Sequence, residues 1–229
     1  MRSFVDELAL AGPEHLDPDY VARYDSKARF DPAADLLELR ERGLGPESTL
    51  VELGCGTGTF ALAAAQRAGR VAAVDISPAM VDSLRARAGG APNMEVVQAG
   101  FLSYRHKGEP ADCVYSRNAL HHLPDFWKAI ALERIAEMLV PQGILRLRDL
   151  VFAFPLAEAE EALAAWLDEA AVEDPAEGWT RPELEEHVAS EHSTFSWLLE
   201  PMLEQAGFTI ERADYGGLRT YADYLCIRT

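Results

Sequence analysis

The chain has 229 residues, 48% of them hydrophobic and 26% charged, which suits one sizeable folded unit and excludes a chain dominated by disorder. Its formal net charge of −17 weighs against nucleic acid or an anionic membrane surface as partner, because either needs a basic face to meet phosphates. Three scattered cysteines, no run of about 20 apolar residues and no signal-peptide pattern weigh against a zinc cluster or a membrane span and point to the cytoplasm.

The segment before Pro32 reads as irregular, and Ala33 to Arg42 as a helix ended by Gly43, Gly45 and Pro46. Thr49 to Leu53 is a short apolar strand that runs into a glycine-rich loop. Thr57 to Ala68 has helical spacing and stops at Gly69. Val71 to Asp75 is the next strand, and Ser77-Pro78 starts a helix through Ala88. Met94 to Gln98 and Ala111 to Ser116 are strands, Asp125 to Leu139 is a helix, and Ile144 to Asp149 is a fifth strand. Strands that alternate with helices imply parallel βαβ units with right-handed crossovers.

From about Phe154 the character changes. Leu156 to Ala171, Arg181 to Ser190 and Thr194 to Gln205 read as three helices, too much chain for one crossover. Thr209 to Ala213 and Tyr221 to Ile227 return as strands joined through Tyr215-Gly216-Gly217, so the last strand is expected to run antiparallel. The expected organisation is a single domain over 1–229, with an N-terminal lid at about 1–30 and a helical cap insertion at about 154–206.

The glycine loop carries the chemistry. Glycines let a backbone approach a ligand closely and turn sharply from strand to helix. The pattern here is Gly54-Cys55-Gly56-Thr57-Gly58, preceded by Glu52, with Asp75 at the end of the following strand. An acidic side chain there can accept both ribose hydroxyls of a nucleoside. A dinucleotide loop prefers GxGxxG and receives a pyrophosphate, which Glu52 would repel. S-adenosylmethionine has no phosphate and carries an ammonium, so GxGxG with Glu52 favours it over a nicotinamide cofactor.

Val51 to Gly58, Val74-Asp75-Ile76-Ser77-Pro78-Ala79-Met80, Asp112 to Asp125 and Leu139-Val140-Pro141-Gln142-Gly143 together resemble the class I, Rossmann-like S-adenosylmethionine-dependent methyltransferases. The likeness lies in the small-molecule branch, close in pattern to ubiquinone/menaquinone-type methyltransferases, and runs from roughly Tyr24 to Asp149. It implies a three-layer α/β fold whose seven-stranded, mostly parallel sheet has the order 3-2-1-4-5-7-6 and an antiparallel last strand. It implies cofactor contacts at Tyr24, Glu52, Gly54, Cys55, Gly56, Asp75, Ile76, Met80, Gly100, Phe101 and Asn118. In the family an aspartate usually follows the glycine after the third strand and accepts from the adenine amine; here Gly100-Phe101 stands instead. Either Phe101 packs on the ring and another group serves adenine, or Phe101 is core.

The implied activity is methyl transfer to oxygen, nitrogen or carbon of a small-molecule acceptor, releasing S-adenosylhomocysteine. The alternative is an S-adenosylmethionine-binding sensor or partner subunit without transfer. His121 and His122 follow the fourth strand and Asp149 ends the fifth, where ligands bind in such folds. All three are candidate bases, and each could equally cap a loop or helix. Alignment and exclusion of water can drive an in-line methyl transfer without a base. With His121 and His122, the cap residues His187, Glu191 and His192 make a metal site conceivable, but no pair shows an HExxH spacing and methyl transfer to most substrates needs no metal, so none is expected. A monomer or homodimer without nucleic-acid or membrane partners completes the expectation.

Overall fold

Residues 5–229 are described by a computed structural model. The first helix, α1 (Pro18–Ala28), starts on the Asp17 side chain, which accepts from the Asp19 N–H, with proline in the first turn. α2 (Ala33–Glu41) leads to β1 (Thr49–Leu53) and, past the glycine loop, α3 (Thr59–Ala64). β2 (Arg70–Asp75), α4 (Pro78–Ala88), β3 (Met94–Gln98), β4 (Ala111–Arg117), α5 (Asp125–Met138) and β5 (Leu139–Phe152) continue the alternation. α6 (Ala159–Ala170), α7 (Arg181–Ser190), β6 (Thr194–Phe195), α8 (Ser196–Gln205), β7 (Phe208–Asp214) and β8 (Tyr221–Arg228) complete the chain.

The main sheet has the order β3-β2-β1-β4-β5-β8-β7. β1 pairs in parallel with β2 and β4, and β4 with β5, while β8 is antiparallel to both β5 and β7. This is the expected three-layer arrangement with one added strand: two-residue β6 pairs in parallel with the end of β5 at Val151 and Phe152. Strand order reverses between β1 and β4, which opens a crevice at their carboxyl ends.

One sheet face packs Val51, Val114, Leu145 and Leu147 against α5 and α8, and the other packs Leu50, Val71 and Tyr115 against α2 and α3. A third cluster joins Trp166 of α6, Leu184 of α7 and Leu150 of β5.

Several boundaries differ from the sequence reading. The segment expected to be irregular before Pro32 contains α1, which the Asp17 cap and Pro18 start and whose inner face buries Val21 and Lys27. The helix expected over Thr57 to Ala68 is shorter, running Thr59–Ala64, because Gly58 at φ 82° keeps the loop out of helical geometry until Thr59. Thr194 and Phe195, expected in a helix, are held extended by β5. α8, expected in the cap, buries Leu199 and Leu203 in the main core beside α5 and is a layer of the fold. β5 already pairs at Leu139, with an irregularity before Ile144 where Gln142 takes φ 65°. Among the described residues no helix is long and apolar enough to cross a membrane.

Candidate active site

The crevice is a cleft of about 690 Å³ including its open mouth. Its floor is the loop after β1. Gly54 takes φ 72°, and a Cβ there would sit 2.3 Å from the Ala119 Cβ, so only glycine lets the loops after β1 and β4 meet. Asp75 ends β2 with Oδ2 accepting from Gly56 N–H and Oδ1 from Ser77 N–H, both at 2.8 Å. Burial raises its pKa, and these two amides work against that shift.

Of the residues singled out in the sequence as cofactor contacts, Tyr24, Gly54, Gly56, Asp75, Ile76, Met80, Gly100, Phe101 and Asn118 line the cleft. Glu52 and Cys55 do not. Strand alternation turns Glu52 to the Leu50 side of β1, beneath α3, where it accepts from Ala61 N–H. Burial pushes its pKa well up, and the Ala61 N–H works against that shift. Cys55 is buried among the α2 and α3 side chains, with its Sγ 3.7 Å from the Gly56 carbonyl oxygen.

Asn118 takes φ 49°, and its Oδ1 is buried without a hydrogen-bond partner. Such an acceptor in the cleft fits a donor on a ligand. Glu7 was missed in the sequence. It is buried, lines the cleft, and its Oε1 accepts from Leu102 N–H at 2.8 Å. A Cβ at Gly100 would lie 2.3 Å from that oxygen, so the glycine before Phe101 makes room for Glu7. The absent aspartate at position 101 was the one sequence signal for a substitute, and nothing in the spacing pointed to residue 7.

The N-terminal segment covers this cleft and is fastened to its rim. Thr57 Oγ1 donates to Asp25, Arg87 reaches Asp25 at 2.7 Å and the Thr57 carbonyl at 2.8 Å, and Ser77 Oγ donates to the His15 carbonyl at 2.6 Å. Tyr24 is enclosed, and burial raises its phenol.

Of the base candidates, His122 lines the cleft, 5.5 Å from the His15 ring. His121 and Asp149 lie behind it. Asp149 Oδ1 meets His121 Nδ1 and accepts from Leu150 N–H at 2.8 Å, while Oδ2 accepts from His121 N–H at 3.0 Å. Glu191 flanks the other ring edge, 2.9 Å from His121 Nε2. Burial opposes a charge on His121, but Asp149 and Glu191 outweigh it and push the pKa up to about 9. Burial, with the neighbouring His121, pulls His122 well down. Burial would raise Glu191, yet the facing His121 and His187 hold it well below the usual range.

Beside the cleft, Arg117 of β4 and Arg148 of β5 are register partners. Their nearest acids are Asp35 at 3.8 Å and Asp223 at 3.9 Å, beyond hydrogen-bonding distance. Arg117 lies 4.2 Å over the Phe30 ring and Arg148 4.7 Å over the Tyr221 ring, so the guanidiniums are positioned by aromatic faces.

Residues 50–143 match a family described as "Methyltransferase domain". The chain is 33% identical over 131 residues to trans-aconitate 2-methyltransferase of Methylobacterium radiotolerans, covering 56% of this chain and 47% of that one. It is 38% identical over 77 residues to an rRNA adenine N-6-methyltransferase of Saccharopolyspora erythraea, covering 34% of this chain and 19% of that one. In fold it is similar to magnesium protoporphyrin IX methyltransferase of Synechocystis with bound S-adenosylmethionine, at a TM-score of 0.64 and 15% identity, covering 100% of both chains. The chain spans about half or less of the length of the curated relatives it matches.

Proposed function

We propose that this chain, which carries a methyltransferase domain of the class I S-adenosylmethionine-dependent family, methylates a small acceptor that bears a carboxylate. The observation that carries the cofactor half is Asp75, clamped by the Gly56 and Ser77 amides at the floor of the cleft. Asp75 would hold the ribose, Ile76 and Met80 the adenine faces, and Asn118 Oδ1 the ammonium. Glu7 would accept from the adenine amine, in place of the acid that Phe101 displaces. Bound S-adenosylmethionine supplies a methyl group activated by a cationic sulfur.

Arg117 and Arg148 carry the acceptor half. Two adjacent guanidiniums without a hydrogen-bonded acid favour a carboxylate, which they can grip in bidentate fashion. A carboxylate is already ionised at neutral pH, so it needs no base. The protein's work is then to align the acceptor oxygen and exclude water beneath the lid. On this reading His122 forms a wall of the acceptor site, and His121 and Asp149 are positioning residues behind it. The curated relative named for trans-aconitate points the same way. The match to an rRNA enzyme spans a third of the chain, and a net charge of −17 weighs against a phosphate-backbone acceptor. A cytoplasmic monomer or homodimer fits this reading.

The test is transfer of a labelled methyl group to pools of small carboxylic acids, phenols and amines. Transfer confined to acids, with the acceptor KM raised at least tenfold in Arg148→Gln, supports the reading. Transfer to phenols or amines alone overturns the acceptor class. Tight S-adenosylhomocysteine binding with no transfer to any pool favours the non-catalytic binding protein.

A further inference from the structure

The cap meets the core in a histidine cluster of which only His122 reaches the cleft. His121 and His122 come from the turn after β4, and His187 and Glu191 from the C-terminal end of α7. Glu191 Oε2 is 2.9 Å from His121 Nε2, 2.5 Å from His187 Nδ1 and 4.0 Å from His122 Nδ1. Yet Glu191 Oε2 and His122 Nδ1 are buried with no aligned hydrogen-bond partner. Three ring nitrogens thus face one carboxylate oxygen at close range, without the directions that hydrogen bonds require.

The outer contacts have the form of a ligand shell. His121 turns its second nitrogen, Nδ1, to Asp149, and His187 turns its second nitrogen, Nε2, to Ser193 Oγ at 3.1 Å. Metal-bound imidazoles are held in this way by the nitrogen that does not ligate. The two segments are also stitched together, since His192 N–H donates to the His121 carbonyl at 2.9 Å.

We propose that His121, His122, His187 and Glu191 bind one divalent transition-metal ion. A tetrahedral ion with bonds of ~2.0–2.1 Å sets its ligand atoms ~3.3 Å apart. Glu191 Oε2 stands 2.5, 2.9 and 4.0 Å from the three ring nitrogens, and ligand atoms of His121, His122 and Glu191 lie within 4.8 Å of one another, so these three form the gathered part of the shell and His187 completes it by moving inward. Imidazole-rich ligands select zinc-like ions over magnesium or calcium, which prefer oxygen. The ion would pin α7 to the turn that carries His122, and so fix one wall of the cleft from behind. The ligands lie on segments far apart in sequence, which is why the search for an HExxH spacing led to the opposite expectation.

The experiment titrates the chelator-stripped full chain with zinc by calorimetry and, in parallel, with cobalt by visible absorption. One zinc per chain and a cobalt spectrum of tetrahedral intensity are expected. Glu191→Gln and His187→Asn should each weaken zinc binding at least 100-fold, and Asp149→Asn about 10- to 100-fold. Zinc should raise the Tm of the natural chain and leave that of Glu191→Gln unchanged. S-adenosylhomocysteine binding, measured on the same samples, reports a folded cleft independently of the metal. Absence of stoichiometric zinc binding by the natural chain overturns the proposal, as does binding that persists unchanged in both ligand variants.

Discussion

Replacing Asp75 with alanine tests the cofactor site most directly. A carboxylate has about four lone-pair positions. Two are taken by Gly56 and Ser77 N–H, which leaves two for a pair of ribose hydroxyls. Each charge-assisted hydrogen bond contributes about 1.5–3 kcal/mol net. Water entering the vacated space recovers part of the loss, so Asp75→Ala should weaken S-adenosylhomocysteine by at least about 1.4 kcal/mol, or tenfold, and by up to about 4 kcal/mol. The assay is calorimetric titration, with thermal unfolding measured alongside because the same side chain tethers the loop. Asp75→Asn, which keeps one amide acceptor, should lose less. A folded Asp75→Ala protein that binds within twofold of the natural chain would refute the ribose assignment.

Glu7→Gln keeps an acceptor for Leu102 N–H but presents an amide to adenine; the natural chain should prefer adenine over the hypoxanthine analogue of S-adenosylhomocysteine about tenfold, and the variant should lose that preference. Equal discrimination by both proteins would remove Glu7 from the adenine site. Gly54→Ala combines a positive φ with a 2.3 Å approach to Ala119, and denaturant unfolding should show a loss of at least about 2 kcal/mol. Glu183 joins cap to lid through Lys27 at 2.6 Å; partial burial raises its pKa, but Lys27 and the Thr180 cap outweigh that and lower it below 4.5. A depressed native value means that this stability is present above pH 4.5 and lost as pH falls through the native pKa. The Tm gap between the natural chain and Glu183→Gln should therefore be open at pH 7 and close on acidification; a gap that does not change with pH would contradict the assignment.

The sheet was legible because its signals are local. Glycine and proline breaks fall between apolar runs too short for core helices, and each run became a strand. β6 was illegible for the opposite reason: two residues are extended because the distant end of β5 pairs with them. The loop, and Asp75 with Met80, were legible as two short patterns at the ends of consecutive strands, whereas Glu52 lies off the cleft because side-chain alternation along β1 outweighs adjacency to the loop. Glu7, His187 and Glu191 reach their sites by tertiary packing from remote segments, and no spacing rule records that.

The fastening of α1 to the glycine loop rests on few contacts: the Asp25 carboxylate holds both Thr57 and Arg87, so one side chain ties the helix to the loop. The Arg87–Asp25 pair is more than a third exposed, so dissolved salt screens it while leaving the buried Asp75 clamp almost untouched. Dissolved salt therefore reaches the seam between α1 and the loop before it reaches the cleft floor.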